Sequence, residues 1–148
     1  MMLRCCTAAF AAAFVFLAGC TSGDVILDRP GAGYVEDVPA QVAAVDWSGA
    51  QTVEVSLAEF AFAPETLAFE RGRPYRLVLE NGGRRTHTFV SEGFFKAIAV
   101  QKLASADGEI ANPYIESIEL ARGAVKEITF VPVRPGSYDL RCTVFLHE

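Results

Sequence analysis

The chain has 148 residues, 51% of them hydrophobic and 21% charged, with 13 Lys+Arg against 18 Asp+Glu for a formal net charge of −5. That is the size of one ordinary domain, and a chain short of basic residues, with no Lys/Arg-rich run, is unsuited to neutralising nucleic-acid phosphates. Cys5, Cys6 and Cys20 fall within the first twenty residues, which leaves Cys142 alone in the rest and excludes a disulfide scaffold.

Met1 to Arg4 gives a short positive start, and Ala8 to Leu17 is an uncharged apolar run. That run is far below the ~20 residues that span a bilayer, so residues 1–19 read as a signal peptide. The segment ends in Leu17-Ala18-Gly19-Cys20, which resembles the lipobox of bacterial lipoproteins. The resemblance implies that Cys20 is lipid-modified and becomes the first residue of the mature protein; a plain secretory signal cut near small residues is the alternative. Processing would remove Arg4 and no acid, so residues 20–148 would carry −6. The expectation is an acidic, extracytoplasmic domain held by lipid on the periplasmic side of a bacterial membrane.

Residues 20–50 contain Pro30, Gly31, Gly33, Pro39 and scattered acids without sustained alternation, so they read as a lipid-anchored linker. Val35, Val38, Val42, Val45 and Trp47 are apolar enough to lay part of it on the domain as an extra edge strand.

From Gln51 the period becomes two. Val53, Val55 and Leu57 alternate with polar residues, as do Tyr75, Leu77 and Leu79, and the breaks fall at Gly72, Pro74 and Asn81-Gly82-Gly83. Ile118 and Leu120 precede Arg122-Gly123, Ile128 and Phe130 precede Pro132, and Tyr138, Leu140 and Cys142 share one face after Pro135-Gly136. Short strands at this spacing predict an all-β antiparallel sandwich or barrel, with a short helix within Ser91 to Ser105 where Phe94 and Ile98 take helical spacing. Phe60, Phe62, Phe69 and Phe130 sit at strand spacing and are expected in the core.

The chemistry is concentrated in three residues. The chain has only two histidines, His87 and His147, and outside the leader and Cys20 its only cysteine is Cys142. One thiolate and two imidazoles suit a single copper ion, because the soft sulfur favours Cu(I) and the nitrogens accommodate Cu(II). Zinc ordinarily takes a fourth strong ligand. In Cys142-Thr143-Val144-Phe145-Leu146-His147 the four intervening residues let the chain return His147 to the same ion, while His87 must arrive from a distant strand end.

Pro135-Gly136-Ser137-Tyr138-Asp139-Leu140-Arg141-Cys142 followed by His147 resembles the C-terminal copper loop of the cupredoxins, the plastocyanin and azurin group. Phe60-Ala61-Phe62-Ala63-Pro64, Phe69-Glu70-Arg71-Gly72, Asn81 and His87-Thr88-Phe89 are similar to the first half of that fold. The resemblance covers residues 51–148 and implies a Greek-key cupredoxin-like sandwich. It also implies that His87, Cys142 and His147 are the equatorial copper ligands, with Thr88 beside them where the family often has Asn. Phe94-Phe95 and Phe145-Leu146 are read as core or as an apolar docking patch, and Arg84-Arg85 as a solvated turn or a steering site for an acidic partner. Cupredoxins normally continue past the second His to an axial Met or Gln and a final strand. Here Met1 and Met2 are the only methionines and Glu148 is the last residue, so the expected axial ligand is absent, or is a backbone carbonyl, Glu148 or water.

These features lead to an expected mononuclear copper protein that passes single electrons between redox partner proteins, with Cys142 as the electronic path and His147 exposed. Alternatives are a copper carrier or buffer delivering the ion to a copper-accepting oxidase, or an interaction module that kept the fold without the metal. An enzyme is not expected: one Cys excludes a binuclear centre with two bridging thiolates, two His are too few for a further copper, and no paired carboxylates, Ser/His/Asp set or phosphate loop is visible.

Overall fold

A computed structural model describes residues 23–59 and 61–143. The signal segment, Cys20, Phe60, Phe145, Leu146, His147 and Glu148 lie outside the described residues.

The period-two runs form strands because alternate side chains reach one apolar interior. In β4 (Tyr75–Asn81), residues 75, 77, 79 and 81 are buried while Arg76 and Glu80 are exposed. Among the described residues the strands make two sheets. The larger has the order β3 (Ala61–Ala63), β2 (Gln51–Ala58), β4, β9 (Val125–Pro132), β6 (Ile98–Ser105), β7 (Gly108–Ala111). The smaller has the order β1 (Val25–Leu27), β8 (Tyr114–Leu120), β5 (His87–Val90). The chain leaves the large sheet after β4, enters the small one as β5 and returns through helix α2 (Glu92–Ala97) to β6, so the connections cross between layers as in Greek-key sandwiches.

The core between the sheets holds Leu57, Leu77, Leu79, Phe89, Phe95, Ile118, Leu120, Ile128 and Phe130. Phe130 is completely buried, and Phe62, Phe69 and Phe94 pack against this core partly buried, Phe69 edge-on to Tyr75 and Phe130. The short helix falls where expected, closed by a Lys96–Glu92 pair one turn apart.

Two expectations need correction. The all-β sandwich is present, but β2 pairs with β4 in parallel, since the long excursion from residue 59 to 74 carries the chain back to the starting end of the sheet. The predicted strand at Tyr138–Cys142 is reduced to one bridge, Arg141 with Val90. β5 has only four residues, and Pro135 and Gly136 set a turn in which the Tyr138 hydroxyl bonds back to the Pro135 carbonyl, so little partner backbone is left to pair with.

The segment 23–50, read as a linker with enough apolar residues to lie partly on the domain as an extra edge strand, lies on the sandwich. β1 adds an edge strand to β8, and Val35, with Val38 of helix α1 (Val38–Ala43; Pro39 in its first turn), packs on Ala99 and Val131. Tyr34 donates its hydroxyl to Ile115 O at 2.7 Å, and Arg134 donates to the carbonyls of Gly33 and Tyr34. A few apolar residues without a period were enough, because each fills a site on a surface that only the folded domain supplies.

Candidate metal centre

β4 ends in Asn81, buried at 1% exposure. Its side-chain amide donates to Arg85 O at 2.7 Å and Leu120 O at 2.8 Å, and its side-chain oxygen accepts Gly83 N–H at 2.9 Å. One side chain thus satisfies two backbone groups of the turn that leads into β5 and one at the end of β8. Sequence reasoning had Asn81 as a turn residue and as part of the resemblance to the first half of the cupredoxin fold, without a role for its side chain; its polar character within an otherwise apolar alternation was the available signal.

β5 then begins with His87, whose ring is buried at 1% exposure. Inward-facing His87 and Phe89 alternate with Thr88 and Val90. Gly83 lies against the ring: a Cβ there would stand 2.6 Å from Nε2 and 3.1 Å from both Glu59 carboxylate oxygens. Glu59, just past β2, accepts the backbone N–H groups of Arg84 and Arg85 and faces His87 Nε2 at 3.9 Å. The Arg84 N–H above all, then the backbone N–H of Glu59 itself, the Arg85 N–H and the nearby imidazole, hold this carboxyl below the usual carboxylate range against a small opposing effect of burial. Glu59 was not among the predicted site residues, because nothing in sequence marks a carboxylate that will meet a loop 25 residues away.

Arg141 exchanges both backbone hydrogen bonds with Val90 at 3.0 and 3.1 Å, which fixes the register of the next residues. Cys142 therefore comes beside the start of β5. Its Sγ lies 3.7 Å from His87 Nδ1, and the Thr88 backbone N–H donates to Sγ at 3.4 Å. The Thr88 hydroxyl accepts Thr143 N–H at 2.8 Å, closing the contact. Two of the three predicted ligands, 55 residues apart, are thus brought together through their sulfur and Nδ1 atoms. The third, His147, lies outside the described residues, and among those residues no three His, Cys, Asp or Glu side chains group as a metal site.

The donor pair fits a thiophilic ion. Metal–N and metal–S bonds of ~2.0 and ~2.3 Å together exceed the 3.7 Å gap between Nδ1 and Sγ, so one ion can reach both atoms without displacing the backbone. The sulfur already receives an N–H, and burial of His87 keeps bulk water from that side.

No family model and no curated protein sequence matches the chain. Solved structures to which it is similar include the copper-containing nitrite reductase of Thermus scotoductus SA-01, at 16% identity over 64% of this chain and a TM-score of 0.48. Auracyanin B is similar at 23% identity over 70% of this chain, with a TM-score of 0.45, and dithionite-reduced auracyanin from Roseiflexus castenholzii at 19% over 67%, with 0.44. The chain spans 27% of the nitrite reductase and 84% and 89% of the two auracyanins. The likeness is one of fold, at low identity.

Proposed function

We propose that this is an extracytoplasmic, lipid-anchored mononuclear copper protein that transfers single electrons between redox partner proteins, and that it is not itself an enzyme. The reading is carried by one observation: a buried imidazole nitrogen and a thiol sulfur converge to 3.7 Å from distant parts of the chain. His87 Nδ1 and Cys142 Sγ would hold the ion, joined by His147. Copper, when bound, would supply a Cu(II)/Cu(I) couple that a thiolate and two imidazoles tolerate in both states.

The chain's own residues do the rest. Asn81 and Gly83 set the turn that presents His87, and Glu59 faces the far side of its ring. The Thr88 N–H donates to the sulfur, and the Thr88–Thr143 contact keeps the cysteine segment against β5 so that little moves when charge changes. Cys20 is the proposed lipid attachment point.

The test is metal titration of the processed protein. One copper per chain and an intense visible band from thiolate charge transfer are expected, with the band lost in Cys142→Ser. A colourless protein that prefers zinc would overturn the electron-transfer reading.

A further inference from the structure

The upstream chain and the candidate metal centre leave the sandwich at the same end. β1 runs antiparallel to β8, with Leu27 opposite Tyr114 and Val25 opposite Ser117, so each earlier residue lies nearer Leu120. On the other edge of β8, β5 places His87 opposite Leu120 and Thr88 opposite Glu119. Asp24 fixes the level: its carboxylate accepts Glu119 N–H at 2.8 Å and is gripped by Lys126 Nζ at 2.7 Å to each oxygen. Asp24, Glu119, Thr88 and Thr143 therefore form one row across the small sheet. With strands ~4.8 Å apart, the backbone of Asp24 is roughly 10 Å from that of Thr88. From Cys20 to Asp24 is four residue steps, which reach at most ~14 Å.

Among the described residues, the fully exposed rim at this end is richer in basic than in acidic side chains. Arg84, Arg85 and Arg122 are exposed there. Of the carboxylates nearby, Asp24 is paired with Lys126, while Glu59, bound by the Arg84 and Arg85 backbone N–H groups, and half-buried Glu119 keep their charge but are largely covered, which leaves Glu80 as the fully exposed acid among the described residues. A short tether and a basic rim at one end suit a surface of anionic lipid headgroups.

We propose that the anchor at Cys20 lays the metal-site end of the sandwich on the bilayer, with Arg84, Arg85 and Arg122 against anionic headgroups, so that the centre works at the membrane surface. The proposal rests on the lipid attachment proposed above and not on the metal.

The opposite end carries a natural reporter. Trp47, the sole tryptophan, precedes β2 at Gln51, which pairs with Tyr75, whereas Leu57 at the other end of β2 pairs with Asn81. The lipidated, metal-free protein is placed in phosphatidylglycerol/phosphatidylcholine vesicles that carry a nitroxide on the headgroup. Emission of Trp47 is compared with that of a Trp47→Phe, Ala121→Trp variant, whose new indole sits at the exposed turn after Leu120. Several-fold stronger quenching at position 121 is expected. The difference should vanish when a flexible Gly/Ser insertion after Gly23 is combined with Arg84→Ser, Arg85→Ser and Arg122→Ser. Equal quenching at both positions, stronger quenching of Trp47, or no response to the combined variant would overturn the orientation.

The unaltered chain supplies a second measurement: on vesicles, trypsin cleavage after Arg84, Arg85 and Arg122 should slow relative to cleavage after exposed Arg71 at the far end. Equal slowing at all four would also overturn the orientation. Copper loading is read separately by colour, so a protein that orients without binding copper refutes the electron-transfer reading alone.

Discussion

The tolerance of the site is set at Gly83. Its missing side chain lets the turn approach the His87 ring, and the atom a Cβ would strike belongs to a buried imidazole held on a strand, not to the free end of a flexible chain. Gly83→Ala must therefore push the ring or lift the turn, at a cost of about 1–3 kcal/mol, as for other overpacked sites. The expected result is a lower melting temperature together with weaker copper binding in a competition titration. Unchanged affinity would show that the ring position is set elsewhere. The Asn81 amide has a comparable role, since truncation would leave the buried Leu120 carbonyl without its donor at ~1–3 kcal/mol.

At the level of elements, the segment 23–50 is part of the fold, and Tyr34 reports its docking. Burial foremost, then the charges of Glu116 and Glu92, push its phenol from 10.0 up to about 12. A raised folded-state pKa means that the folded protein holds this proton more tightly than the unfolded chain does. The associated stability is present in full below pH 10 and is lost as pH rises toward about 12. By linkage the loss is on the order of 2–3 kcal/mol. Alkaline unfolding followed by circular dichroism should thus start in that window, and Tyr34→Phe should flatten the alkaline limb while forfeiting the bond to Ile115 O. An unchanged alkaline limb in Tyr34→Phe would show that another group governs it.

For the whole molecule, the proposed tether at Cys20 would join the sandwich at the end that carries the candidate metal site. No described helix is long and apolar enough to cross a membrane, and the proposed attachment is tested at Cys20. Cys20→Ser should release the protein from membranes into the soluble fraction and leave the copper spectrum as it was. Mass spectrometry of the parent chain should show a lipidated N-terminus at position 20. An unmodified N-terminus beginning elsewhere would contradict the attachment and, with it, the orientation.

The sequence by itself determined the strands whose side chains alternate, because burial on one face writes period two directly into residues such as 75, 77 and 79. It also narrowed the candidate donors, since residues 21–148 hold one thiol and two imidazoles. Only the tertiary structure decided what depends on distant surfaces meeting. The parallel pairing of β2 with β4, the docking of residues 23–50 and the carboxylate of Glu59 beside His87 have no local period. The approach of Cys142 to His87 was expected from chemistry, but its form came from pairing of Arg141 with Val90. Backbone register places side chains 55 residues apart, and register is fixed by the summed burial of the sheets around it, which no stretch of sequence carries alone.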